Sequence, residues 1–311
     1  GFPLANSHVP HGVMIGAGLV QVCQTGWLFW RLRERRADRI SPPRNQGVAA
    51  TAIGARDLGV HVLAFLAGAV AIAALAALWT SASPARLALW IVFAALAALV
   101  HTIIVGYCAM LSGWFPSFAV AIALLLLAAL LRFPLAALAM LAGYVLSTGP
   151  QFADLGYDLK SGWIIRGRGR DASREIAGRR QQFWLQEVGA LVGVATAALA
   201  FGAYWKLGLV PPMSRVMATT ISLTSDPSLV TDLAIGAAIG IASQLAGGGR
   251  RAVGILLATG LLLDNLIYGY ALAVALAVRA AWGTAPMSVR APGLIAGDGI
   301  AGFVAALTRA L

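Results

Sequence analysis

Stretches of 17 to 27 mostly apolar residues recur nine times along this 311-residue chain. They lie at about 9–30, 58–80, 87–111, 115–131, 133–149, 183–206, 229–247, 252–278 and 291–310. A helix needs roughly 20 such residues to cross the ~30 Å hydrocarbon layer of a bilayer. In water these surfaces could not be covered, because 59% of residues are hydrophobic and only 11% charged, against roughly 25% charged in a soluble domain. The same balance excludes disorder, which needs low hydrophobicity and high charge. The runs are continuous and Ala/Leu-rich, without the period-2 alternation of barrel strands. The sequence therefore predicts an all-α polytopic membrane protein with about nine transmembrane helices (eight to ten), some short or broken. They form a single transmembrane domain over 1–311. Segments 115–131 and 133–149 form either a tight hairpin or one broken pair.

The net charge is +11, and its placement suits membrane orientation better than nucleic acid. Loop 31–57 holds seven Arg against Glu34, Asp38 and Asp57. Loop 150–182 holds Lys160 and six Arg against four acids. Four spans separate the two loops, so both lie on one side, and the positive-inside rule makes that side cytoplasmic. Arg250 and Arg251 fall on the same side, whereas 207–228, with Arg215 and Asp226, falls outside. Trp27, Trp30, Trp79, Trp90, Trp184 and Trp205 sit near predicted span ends, where amphipathic rings prefer the headgroup level. Gly12-x-x-x-Gly16 and Gly293-x-x-x-Gly297 allow close helix approach. Cys23 and Cys108 read as small hydrophobes.

A charge in the bilayer centre costs at least ~2.5–3.5 kcal/mol, so acids within spans are candidates for function. Asp264 lies mid-span, followed by Asn265; Asp298 sits in GLIAGDGIAG; Glu187 lies about one turn into its span. Each is either a proton or substrate site on a watery path, or a capping or packing acid at a helix break or interface. His61 and His101 also fall within spans, as proton relays or as hydrogen-bonding partners of a neighbouring helix. His8 and His11 are poor metal ligands, since Pro10 interrupts a regular pair and no carboxylate or Cys completes a site. Pro116 and Ser117 in LSGWFPSFAV place irregular backbone at or near membrane depth, where it is tolerated only if buried or lining a cavity. The glycines of RGRGR do not form a phosphate cradle, because no P-loop pattern surrounds them.

DLKSGWII at 158–165, followed by GRRQQFWLQEVGALVG at 178–193, resembles the signature region of the oligopeptide transporter family, which includes the yellow-stripe-like metal-chelate carriers. Asp158, Lys160, Gly162 and Trp163 match its Asp-Leu-Lys-Thr-Gly-aromatic element, with Ser161 for Thr. Arg179, Gln181 and Gln182 match a Pro-Arg-Lys-Gln-Gln-type element, with Gly178 for Pro. APGLIAGDGIAGFVAAL is similar to the family's closing Gly-Leu-Ile-Ala-Gly-Glu segment, with Asp298 for Glu. LSGWFPSFAV is similar to a stretch with an Asn-Pro-x-Ser-Gly core, of which Pro116 is retained.

The resemblance implies a secondary transporter rather than an enzyme. It is expected to take up oligopeptides or metal chelates, including siderophores, across the inner (plasma) membrane, coupled to protons or another cation and without a bound cofactor or resident metal. Asp158 and Lys160 would form a cytoplasmic-side gate or ion pair, and Gly162, Trp163, Gln181 and Gln182 would belong to the transport pathway or its gating. Pro116 and Ser117 would mark a break lining the pathway, and Asp264, Asp298 or Glu187 would carry the proton. Family members are about twice this length, with two related halves, so the chain is expected to be a C-terminal half. Its partners would be the bilayer, a small-molecule cargo, and the missing N-terminal half or a second copy. Two other readings are a membrane-embedded enzyme on lipid phosphates, for which no Asp-x-x-Asp cluster is present, and a non-transporting membrane subunit.

Overall fold

A computed structural model describes residues 7–37, 55–112, 116–208, 212–222, 229–247, 252–262 and 266–310. The described residues form eleven α-helices, a 3-10 turn at Leu78–Thr80, and no strand. In chain order the helices are α1 (Val9–Ala37), α2 (Ala55–Leu75), α3 (Pro84–Ser112), α4 (Ser117–Leu130), α5 (Leu135–Ile165) and α6 (Ala172–Lys206). They are followed by α7 (Pro212–Ser222), α8 (Leu229–Gly247), α9 (Val253–Leu261), α10 (Leu266–Trp282) and α11 (Thr284–Ala310). Among them α3, α5, α6, α8 and α11 are long and apolar enough to cross a membrane, and α2, α4 and α10 contain shorter apolar helices. The chain is an all-α polytopic membrane protein.

Two boundaries differ from the hydropathy reading. The basic stretch 150–182 is helical except for a turn at 166–171, because α5 continues through Pro150 to Ile165 and α6 begins at Ala172. The run at 252–278 is two helices, α9 and α10, rather than one span.

The helices fall into two compact units, Gly1–Leu185 with Val216–Ala258, and Gln186–Arg215 with Thr259–Leu311. In the first unit α1 lies along α8, α3 along α5 and α2, and α4 against α5 and α1. Lipid gives helices no hydrophobic reason to associate, so close packing and interhelical hydrogen bonds must hold them. At the α1–α8 crossing the backbones touch. A Cβ added to Gly240 would lie 2.8 Å from the Ala17 nitrogen, and one on Gly236 2.8 Å from Gly12 Cα. Gly12-x-x-x-Gly16 therefore meets a second small-residue stripe, Gly236-x-x-x-Gly240. Gly293 and Gly297 on α11 face open space.

Polar side chains reinforce that crossing. Gln244 is fully buried; its Nε2 donates to Gln21 Oε1 and to Gln24 Oε1 (3.1 Å), and its Oε1 accepts the Gly254 N–H (3.1 Å). One side chain of α8 thus ties α1 to the first turn of α9. At the end of the crossing, Asp232 Oδ2 accepts the His8 N–H at 3.0 Å. Interhelical hydrogen bonds in membranes average about 0.6 kcal/mol and reach about 1.7. Gln244→Leu strands three partners at once, so it should cost roughly 2 kcal/mol. Thermal unfolding in detergent checks this, and a melting curve like the parent's would show the cluster to be dispensable.

The core of the first unit is built from alanines and a few large side chains, among them Ile122, Leu125, Leu138 and Leu141. Trp90 belongs to it. Its ring is 2% exposed and its Nε1 donates to the Ala137 carbonyl at 3.0 Å. This corrects its assignment to the interfacial belt: the indole N–H has found a partner on the facing helix, so it does not need the headgroup layer. Trp27, Trp30, Trp79, Trp184 and Trp205 are exposed, as belt residues should be. Between α4 and α5, Arg86 from the start of α3 donates to the Leu131 and Arg132 carbonyls at 2.9 and 2.8 Å, tying down the turn that joins the two helices.

In the second unit α10 packs on α11. Most of its large apolar side chains, such as Leu191, Leu199, Ile295 and Ile300, are exposed. Such surfaces require lipid or protein around them.

Candidate functional site

The signature segments meet at the elbow between α5 and α6. The chain reverses there through Arg166, Gly167, Arg168 and Gly169, of which the last three have positive φ (90°, 60° and 77°). The Arg168 N–H returns to the Trp163 carbonyl at 2.8 Å, closing the end of α5. Glycine adopts this conformation without strain, which gives the RGRGR glycines their purpose. Asp171 then starts α6: its Oδ1 accepts the Ser173 hydroxyl at 2.7 Å and the Arg174 N–H at 3.1 Å. These two donors hold its carboxyl below the usual carboxylate range.

Glu175, one turn into α6, is 1% exposed and sits between two guanidinium groups. Arg166 grips it through two parallel bonds, Nε to Oε2 and Nη2 to Oε1, each 3.0 Å. Arg179 donates its Nε to Oε1 at 2.7 Å. The third nitrogen of Arg166, Nη1, donates to Gln182 Oε1 at 3.0 Å. Gln182 Nε2 in turn donates to the Asp158 carbonyl. A continuous chain of hydrogen bonds, charge-assisted around Arg166, Glu175 and Arg179 and neutral at its last link, therefore runs from the Asp158 carbonyl on α5 to Glu175, Arg179 and Gln182 on α6. The planar fork of Arg166 suits it to this bidentate role.

Two glycines make room for it. A Cβ on Gly162 would fall against the Gln182 amide and 2.5 Å from Arg166 Nη1; one on Gly178 would lie 2.7 Å from Arg166 Nε. The Gly-for-Pro exchange at 178 is thus the position over which Arg166 passes. Lys160, exposed, holds its ammonium 4.0 Å from the centroid of the Trp163 ring. Beside these residues lies a cleft of about 530 Å³, lined on its apolar side by Met110, Tyr157 and Trp163 and on its basic side by Lys160 and Arg179. Tyr157 is fixed by donating its hydroxyl to the Ala109 carbonyl at 2.9 Å.

Of the predicted site residues, Asp158, Lys160, Gly162, Trp163 and Gln182 come together at this elbow, and exposed Gln181 stands beside Gln182. In the sequence Arg166 and Glu175 are charges of the basic stretch 150–182 and carry no further mark. The signal that could have found them is Glu175 with Arg179 at i,i+4 on a helix. Pro116 and Ser117 lie elsewhere in the first unit, at the start of α4, both buried. There His101 Nε2 on α3 lies 2.9 Å from the Ser117 carbonyl oxygen and 3.4 Å from its hydroxyl. The ring is fully buried against Gly149 of α5, so this histidine joins three helices. Glu187 on α6 and Asp298 on α11 are exposed residues of the second unit. Asp264 lies outside the described residues, between the ends of α9 and α10.

Searches of curated proteins and of solved structures gave no match. The family model of the OPT oligopeptide transporter protein matches residues 9–309. With the helical bundle, the apolar spans and the signature segments closed into one ion-pair cluster, this places the chain in the OPT oligopeptide transporter family.

Proposed function

We propose that the chain forms the pathway-bearing part of a proton-coupled carrier that takes up oligopeptides or metal chelates across the inner membrane. Membership of a transporter family over residues 9–309 carries this reading. The α5–α6 elbow acts as the cytoplasmic-side gate, with Asp158, Lys160, Gly162, Trp163, Gln181 and Gln182 arranged around the Arg166–Glu175 pair. Alternating access requires an element with two arrangements, and the ion-pair joint between α5 and α6 is the element we assign to it. Pro116 and Ser117 open α4 where the pathway passes, and Asp264, Asp298 or Glu187 carries the proton. A missing N-terminal half or a second copy completes the cavity.

Uptake into proteoliposomes under an inward pH gradient tests this. A tripeptide or a ferric chelate should accumulate, and accumulation should collapse when the gradient is removed. Asp264→Asn should lose gradient-driven accumulation at least about tenfold while keeping exchange of cargo between the two sides. Equal accumulation by mutant and parent would remove Asp264 from the mechanism. Indifference to the gradient in the parent would remove proton coupling altogether.

A further inference from the structure

The cleft at the α5–α6 elbow combines an apolar wall with positive charge. Its wall is mostly apolar, formed by Met110, Trp163 and the tyrosine ring of Tyr157, while Lys160 and Arg179 supply positive charge. Arg179 gives its Nε to Glu175 and is 48% exposed, so its guanidinium is fixed in place with an edge still open. The Lys160 ammonium is likewise positioned, over the Trp163 ring. Residues 154–180 carry seven basic side chains against four acidic ones. Immediately beside these charges, Ile165 and Ile176 are 82% and 61% exposed, and Phe183 and Trp184 are exposed as well. Charged residues next to bare isoleucines and aromatics at the end of a long apolar helix mark the headgroup level of a membrane.

We propose that this cleft binds the headgroup of an anionic phospholipid, with the phosphate between Lys160 and Arg179 and the start of the acyl region against Met110 and Trp163. Basic pockets between helices at the membrane surface suit anionic headgroups for this reason. A lipid offers the phosphate and a long apolar chain in one molecule, whereas a free anion uses only the charged half of the cleft and a small peptide such as trialanine covers little of the apolar wall. The site shares Lys160 and Trp163 with the proposed gate, but lipid binding there needs no cargo and no proton gradient, so it can fail or hold independently of the transport reading.

The test uses the purified protein in a zwitterionic detergent, with thermal unfolding as the readout. Short-chain phosphatidylglycerol is compared with short-chain phosphatidylcholine, inorganic phosphate and trialanine. Phosphatidylglycerol should raise the melting temperature of the parent by several degrees, and the other three should not. K160Q should lose most of that rise, K160R should keep it, and R174Q, an exposed basic change outside the cleft, should keep it too. M110W fills the apolar wall without touching a charge and should also lose the rise, so the conclusion survives if K160Q fails to fold. An equal rise in K160Q or M110W overturns the proposal. A loss in R174Q as large as in K160Q reduces the effect to diffuse surface charge and overturns it as well. A full rise with phosphate or trialanine alone assigns the cleft to a soluble anion or to cargo instead.

Discussion

Gly240→Val should all but abolish recovery of folded, monodisperse protein from detergent, whereas Gly297→Ala should leave recovery intact. Both positions lie in apolar helices and both belong to small-residue stripes. Their surroundings differ. Around Gly240 the nearest atoms are backbone, with Ala17 N at 2.8 Å and Val13 C at 2.9 Å from an added Cβ, and backbone cannot rotate out of the way. The valine must push α1 off α8, and separating these helices forfeits the packing and the Gln244 hydrogen bonds together. Overpacking ordinarily costs 1–3 kcal/mol; with no side chain able to yield, roughly 3 kcal/mol or more is expected here. At Gly297 nothing lies within 4 Å of the added atom, so alanine should gain about 0.5–1 kcal/mol by stiffening the unfolded chain. Size-exclusion profiles of the two variants decide the matter. Parent-like recovery of Gly240→Val would mean that α1 and α8 do not cross this closely.

Glu175→Ala should produce the largest effect at the elbow. It leaves Arg166, only 14% exposed, and Arg179 beside one another without the carboxylate they share. Breaking a buried pair by removing one partner is far costlier than replacing both, because the remaining charge stays desolvated. A fall in melting temperature of roughly 5–10 °C is expected. Adding Arg166→Gln to Glu175→Gln should recover part of the loss, since the pair then carries one unpaired cation fewer. A Glu175→Ala protein that melts like the parent would show the ion-pair chain to be ornamental. In transport assays the same variant should lose uptake under conditions where it is still folded, because the joint it closes is the proposed gate.

The class of the protein is legible in the sequence because lipid imposes a crude rule: about 20 apolar residues for each crossing. α8 at Leu229–Gly247 coincides with its predicted span, and α4 and α5 are separate helices joined around Arg132, where the sequence left a hairpin or a broken pair open. The signature segments were also legible, as a pattern. What they are for was not. Gly162 and Gly178 are glycines because Arg166 folds back over both, and that return path exists only once the RGRGR turn has reversed the chain. The stripe Gly236-x-x-x-Gly240 could have been read by the same rule that picked out Gly12-x-x-x-Gly16. Which stripes meet, and that Gly293 and Gly297 meet nothing in contact, is settled by helix placement. Gln21, Gln24 and Gln244 are scattered over 223 residues of sequence separation and carry no motif. Trp90 reads as a span-end tryptophan by position and becomes a core residue because the Ala137 carbonyl accepts its N–H. Sequence determined the solvent this chain requires and which stretches are apolar enough to cross, since these depend on the local sum of side-chain transfer energies, and its ordered motifs carried the family likeness. The tertiary structure alone decided which glycines are contacts, which charges are paired and which aromatics are buried, because each depends on a second helix whose approach no local sum contains.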